Sequence, residues 1–148
     1  MSDAPYEITC DKTRLDIGAI HGFLTQSYWS PGIPRTVVER AIDNSLCFGV
    51  LHEGKQIGFA RAITDKATFA YLADVYVLPE HRGKGVSLRL MEQIIQHPDL
   101  RGLRRMLLAT RDAHYLYEKF GFKPLAAPDR IMELHNPEVY GRPPQSAL

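Results

Sequence analysis

Residues 69–96 constrain the architecture of this chain more than any other stretch. Phe69 to Leu78 is rich in aromatic and β-branched residues and stops at Pro79, the pattern of a strand. The turn His81-Arg82-Gly83-Lys84-Gly85 follows. Val86 to Gln96 then puts Val86, Leu90, Met91, Ile94 and Ile95 on one broad helical face. A hydrophobic strand that opens through a glycine turn into an amphipathic helix demands a layered fold, helix upon sheet. The turn itself is built for an anion. Glycines adopt positive φ and allow close approach, while the free N–H groups of the first helical turn point outward. The helix dipole adds partial positive charge, and Arg82 and Lys84 add full charges. A diphosphate is the natural guest. The basic tetrapeptide alone reads rather as a solvated turn; strand, Pro79 and helix in register reverse that and favour the anion site.

The common dinucleotide and P-loop patterns do not fit. A G-x-G-x-x-G reading fails at Leu88, and no Ser or Thr follows Lys84 as a P-loop requires. Around this segment the chain alternates strand and helix signals. Glu7 to Thr9 reads as a short strand, Thr13 to about Ser27 as a helix, and Pro34 to Ile42 as a second helix with Pro34 in its first turn. Leu46–Leu51 and Gln56–Ile63 form a hairpin across His52-Glu53-Gly54-Lys55. Arg105–Ala109 is a buried strand, and Ala113–Phe120 a helix closed by Gly121. Phe122–Leu125 and Ile131–Leu134 are expected as final strands, before an irregular tail containing Pro137, Pro143 and Pro144. The fold class expected is an α/β (α+β) sandwich, a single domain over 1–148 with a central sheet covered by helices on both faces.

Composition narrows the function classes. Of 148 residues, 18 are Lys or Arg and 17 Asp or Glu, so no global field draws the chain to nucleic acid or an anionic membrane. Cys10 and Cys47 make no disulfide framework, and the histidines show no HExxH-like spacing, so no metal is expected. Met1 to Pro5 lacks the features of a secretory leader, and no apolar run approaches the roughly 20 residues of a membrane span. A cytoplasmic location is the expectation.

Arg82-Gly83-Lys84-Gly85-Val86-Ser87 resembles the R-x-x-G-x-G/A acetyl-coenzyme A turn of the GNAT N-acetyltransferase superfamily, with Ser87 in place of the usual Gly or Ala. Val77-Leu78-Pro79-Glu80-His81 resembles the family's lead-in to that turn. Further on, Ala113-His114-Tyr115-Leu116-Tyr117-Glu118-Lys119-Phe120-Gly121-Phe122 resembles its A-x-x-L-Y-x-x-x-G-F segment. The resemblance implies a splayed mixed sheet, in which Phe69–Leu78 and Arg105–Ala109 diverge around the pantetheine arm of acetyl-coenzyme A. It places main-chain groups of Val75, Tyr76 and Val77 on the pantetheine amides, and Arg82, Gly83, Lys84, Gly85, Val86 and Ser87 at the diphosphate. Thr110 stands where the family often carries an Asn that contacts the cofactor. Implied partners are acetyl-coenzyme A and a small amine or protein amine, with a homodimer left open.

Acetyl transfer to an amine requires loss of an ammonium proton, stabilisation of a tetrahedral oxyanion and protonation of the departing thiolate. Tyr117 falls at the family's general-acid position; it is also one more aromatic on a core-facing helix. Asp74 lies inside an otherwise apolar strand. It could accept the acceptor's proton, hold a cationic acceptor, or pair with Arg61. His114 is a candidate relay or simply exposed, and Asp112 is a candidate N-cap. Cys47, in an apolar strand with no basic neighbour in sequence, reads as a small hydrophobe, which favours direct attack over an acetyl-cysteine. In the family the region between the first two helices commonly covers the acceptor. Here that region offers Tyr28 and Trp29, which could stack on an acceptor or anchor the loop. A non-catalytic acyl-coenzyme A sensor would share the turn but need neither Tyr117 nor Asp74.

Overall fold

The computed structural model describes residues 5–141, so the expectations about the extreme N-terminus and about Pro143 and Pro144 lie outside the described residues. Its elements in chain order are β1 (Tyr6–Thr9), α1 (Ile17–Leu24), α2 (Arg35–Asp43), β2 (Leu46–His52), β3 (Lys55–Thr64), β4 (Phe69–Val77), α3 (Val86–Gln96), β5 (Arg105–Leu108) and α4 (His114–Glu118). The strands form one sheet in the order β1-β2-β3-β4-β5. β1 to β4 pair antiparallel, and β5 joins β4 in parallel. This is the mixed sheet expected.

Helices cover both faces. On one, Leu90, Met91 and Ile94 of α3 and Tyr117 of α4 pack with Phe48, Val50 and Leu72. On the other, Ile20 and Leu24 of α1 and Val38 and Ile42 of α2 pack with Cys47, Phe59 and Tyr76. Each fully buried aliphatic or aromatic side chain contributes about 1.5–3 kcal/mol over its exposed state. The period-2 alternation of β3, with Phe59 on one face and Ala60 and Ala62 on the other, serves both cores at once.

Local chemistry explains where the elements begin and end. α1 is shorter than its apolar period suggests, because Asp16 accepts from Ala19 N (3.0 Å) and starts the helix only there. Pro34 is the extended residue before α2, not part of its first turn. At the end of α4, Gly121 has φ +93°. Gly121 N donates to Glu118 O (3.1 Å) and Phe122 N to Tyr117 O (3.3 Å), the paired bonds of a Schellman ending. Asp112 does not cap this helix; Thr110 Oγ1 accepts from Ala113 N (3.0 Å) instead.

The expected strands Phe122–Leu125 and Ile131–Leu134 are not strands. Pro124 and Pro128 remove backbone donors in and between them, and Pro128–Arg130 forms a 3-10 turn. Met132 and Leu134 are 93% and 105% exposed, so their apolar character finds no face to cover.

The sheet splays as expected. β4 and β5 pair only from Phe69↔Arg105 to Leu72↔Leu108. From Ala73 onward β4 pairs with β3 alone, leaving its other edge open.

Candidate active site

The open edge of β4 has a specific shape. Arg61 pairs with Ala73 and Phe59 with Tyr76, so Asp74 and Val75 together oppose Ala60 in a β-bulge. Asp74 takes φ +57°, the left-handed conformation that Asp tolerates better than most side chains. Beyond the bulge Leu78 N donates to Ile57 O (2.8 Å). Gly58 and Val77 are therefore a non-hydrogen-bonded pair, and the N–H and C=O of Val77 point away from β3. The main-chain groups of Tyr76 face β3, so the Val75 C=O, opposed to the Tyr76 N–H, turns to the open edge. The Tyr76 side chain stacks on Phe23 with ring centroids 3.9 Å apart, inside the α1–α2 core. Of the three residues expected on a pantetheine arm, Val75 and Val77 thus face the open edge, and the Val77 N–H is directed to it.

The glycine turn lies beyond the end of that edge. Gly83 and Gly85 have φ +76° and +77°, and a Cβ on either would meet nothing within 4 Å. Conformation, not crowding, requires glycine there. Gly85 is the N-cap of α3 and provides no side-chain cap, so the first-turn N–H groups of this helix face outward without a side-chain acceptor. Arg82 and Lys84 are exposed, Ser87 is half-buried, and Val86 puts its side chain into the core and can offer only its main chain. Arg82 Nε donates to Val77 O (2.8 Å), tying the turn to the strand end while leaving the rest of its guanidinium to an anion.

Between β4, β5, α4 and the loop after α1 lies a cleft of 620 Å³. It brings together Tyr28, Trp29, Asp74, Val75, Thr110 and Tyr117; the turn at 82–87 is not part of its wall. Asp74 is held from two sides. Arg61 Nε donates to Asp74 Oδ2 (2.8 Å), and Trp29 Nε1 donates to Asp74 Oδ1 (2.9 Å). Arg61 also reaches Ser45 Oγ (3.2 Å). Of the alternatives open for Asp74, the pairing with Arg61 is the one present, and each oxygen already holds one donor. Trp29 is both an anchor and a wall: besides that bond, its ring lies 5.1 Å from Tyr28, edge to face, and 6.1 Å from Phe23.

Tyr117 is 8% exposed, yet it lines the cleft, and no described residue hydrogen-bonds its hydroxyl. Burial above all, with Tyr28 and Tyr115 nearby, pushes its phenol up to about 12. It is therefore protonated throughout the neutral range. His114 is exposed at the start of α4 and does not line the cleft. Cys47 is fully buried among the residues of the α1–α2 core, and burial pushes its thiol up to about 11, the opposite of an activated nucleophile.

Arg111 escaped the sequence reasoning. Its guanidinium lies 3.9 Å from the centre of the Tyr28 ring, and its N–H donates to Tyr28 Oη (3.3 Å). The signal that could have found it is positional. Ligands gather beyond the carboxyl ends of parallel strands, and Arg111 is the first charged residue after β5, the strand parallel to β4. Among the described residues no helix is long and apolar enough to cross a membrane, and no group of three His, Cys, Asp or Glu is placed to hold a metal ion.

Comparison with known proteins agrees with this geometry. The profile of the acetyltransferase (GNAT) family matches residues 15–122. The crystal structure of a GNAT-family protein from Xanthomonas campestris pv. campestris is 52% identical and superposes with a TM-score of 0.91, over 93% of this chain and 98% of that one. An acetyltransferase of Gibberella zeae is 34% identical over 137 residues, covering 77% of this chain and 76% of the relative. A structure from Clostridium acetobutylicum, solved with acetyl-coenzyme A, shares the fold at a TM-score of 0.64 and 17% identity, over 88% of this chain and 95% of that one.

Proposed function

The chain belongs to the GNAT acetyltransferase family, and from that premise we propose that it transfers the acetyl group of acetyl-coenzyme A to a primary amine by direct attack. The observation that carries the reading is the continuity of one open edge with one anion-binding turn. The Val75 C=O and the Val77 N–H face the open edge, and the strand then leads through Gly83 and Gly85 to the uncapped start of α3. An extended molecule with amides in the middle and a diphosphate at one end satisfies both sets of groups.

In this reading Val75 and Val77 hold the pantetheine amides, and Tyr76 contributes packing. The N–H groups of Gly85 to Ser87, with Arg82 and Lys84, receive the diphosphate. Thr110 shapes the start of α4 through its bond to Ala113 N and borders the thioester from the loop after β5. The acceptor enters between Tyr28, Trp29 and Asp74. Asp74, fixed by Arg61 and Trp29, orients the amine and accepts a hydrogen bond from it through its remaining lone pairs. The neutral nitrogen attacks the thioester carbonyl carbon, the C–S bond breaks, and the proton lost by nitrogen balances the one gained by sulfur. Tyr117 donates a hydrogen bond to the sulfur as negative charge develops there. The covalent acetyl-cysteine route has no support in the setting of Cys47.

The test is an acceptor screen that measures thiol release from acetyl-coenzyme A, with the acetylated product identified by mass. Amine-dependent thiol release is expected. Tight binding of acetyl-coenzyme A with no turnover on any amine would instead favour a non-catalytic acyl-coenzyme A sensor.

A further inference from the structure

Arg111 has no part in binding the donor as described above, and its setting is unusual for an exposed cation. Its guanidinium is stacked on Tyr28, its main chain is tied to the Tyr28 hydroxyl, and both residues line the cleft. Among the described residues no carboxylate pairs with it; neighbouring Asp112 also lines the cleft but forms no ion pair with it. By contrast, Arg61, the other arginine of the cleft, is neutralised by Asp74. Among the described residues the wall therefore carries one balanced ion pair and, across the Tyr28–Trp29 edge-to-face contact, one arginine without a carboxylate partner, held in place. A stacked guanidinium keeps its planar fork of donors oriented, weakly hydrated and ready for a bidentate anion. The diphosphate turn is not part of this wall, so the anion awaited by Arg111 is not that of the donor.

Resting on the acetyl-transfer reading, we propose that the acceptor is a small amino-carboxylate, whose amine lies at Asp74 and whose carboxylate is gripped by Arg111. Trp29 and Tyr28 form the apolar floor between the two ends. Arg111 is then the residue that sets acceptor specificity, and it contributes nothing to the chemistry at sulfur. A polyamine, with cations at both ends, would set like charge against Arg111 and is disfavoured.

The experiment compares the common α-amino acids, their carboxamides and their decarboxylated amines as acceptors, by thiol release in the wild type, Arg111→Gln and Arg111→Lys. Binding of acetyl-coenzyme A is measured for each preparation. The carboxylate should raise kcat/KM by about tenfold or more over the matching carboxamide, the scale of a charge-assisted bidentate contact. Arg111→Gln should abolish that preference through KM, with kcat and acetyl-coenzyme A affinity little changed, and Arg111→Lys should restore part of it. Equal or better turnover of carboxamides and simple amines, unaffected by Arg111→Gln, would overturn this inference and leave acetyl transfer intact. Binding of acetyl-coenzyme A without turnover of any amino-carboxylate would overturn it too. Failure to bind acetyl-coenzyme A at all would overturn both readings.

Discussion

Replacing Tyr117 by Phe removes a single oxygen whose surroundings define what it can do. The hydroxyl has no described hydrogen-bond partner and opens to the cleft, so its loss should cost at most about 1 kcal/mol of stability. Its effect on catalysis follows from its acidity. The phenol is pushed up to about 12, whereas an ordinary thiol titrates near 8.5. Complete proton transfer from Tyr117 to a departing thiolate therefore runs uphill by several kcal/mol, at about 1.4 kcal/mol for each pKa unit. What Tyr117 supplies is a hydrogen bond to developing charge, a contact of about 1.5–3 kcal/mol. Tyr117→Phe should accordingly lower kcat by about 10- to 10²-fold, the low end of general acid–base effects. The dissociation constant of acetyl-coenzyme A should barely move, because a thioester sulfur is a poor acceptor before the bond breaks. The hydroxyl keeps its proton until the pH approaches its pKa of about 12, so activity should rise with pH as the acceptor amine deprotonates and show no earlier loss from Tyr117. The assay is kcat with the best acceptor, beside a melting curve and a donor titration on the same preparation. Wild-type kcat would remove Tyr117 from the mechanism. A fall shared equally by donor affinity would make it a packing residue.

Trp29→Phe keeps an aromatic ring but deletes the donor to Asp74 Oδ1; KM for the acceptor should rise about tenfold or more, with KM for acetyl-coenzyme A little changed. Parallel changes in both constants would assign Trp29 to packing alone. Gly85→Asp strains the backbone at φ +77° and sets a carboxylate where the diphosphate must approach, so calorimetry should find donor affinity reduced roughly tenfold or more. Unchanged affinity in the folded variant would move the diphosphate elsewhere. Cys47→Ala should keep full turnover, since the thiol only fills the core. The buried thiol holds its proton up to about 11 against an ordinary 9.0, so the stability it contributes is intact below pH 9.0 and lost as pH rises towards 11. Melting temperatures across that range should fall less steeply in Cys47→Ala than in the wild type, and identical slopes would contradict the assigned burial.

What the sequence made legible was everything governed by local periodicity. Val86–Gln96 is a helix with the expected bounds, because its apolar face, glycine turn and terminal His97-Pro98 all lie within one short segment. The strands β2 to β4 were legible for the same reason. The final strands failed because β-propensity is a statement about a half-buried surface, and Ile131–Leu134 has no surface to meet. The bulge at Asp74 was not legible, since a positive φ on a non-glycine residue arises from register between strands distant in sequence. The donation from Trp29 to Asp74 spans 45 residues. Arg61 was recognisable as a partner for Asp74 because both lie on paired strands, but nothing local marked Arg111, whose environment is made by Tyr28. Even the entry to α4 differs from expectation: Ala113 is its N-cap, and Thr110 Oγ1, not Asp112, accepts from Ala113 N.

The central claim is that one donor molecule runs from the open edge of β4 to the start of α3. Residue-resolved amide exchange, with and without saturating acetyl-coenzyme A, tests it most directly. The N–H of Val77 faces the open edge, and the N–H groups of the first turn of α3 have no side-chain cap. Both should gain protection together on adding acetyl-coenzyme A, while the amide of Tyr76, already facing β3, should not respond. ATP should protect the α3 turn at most. Protection confined to other elements, or gained equally at the turn and the edge with ATP, would contradict the account.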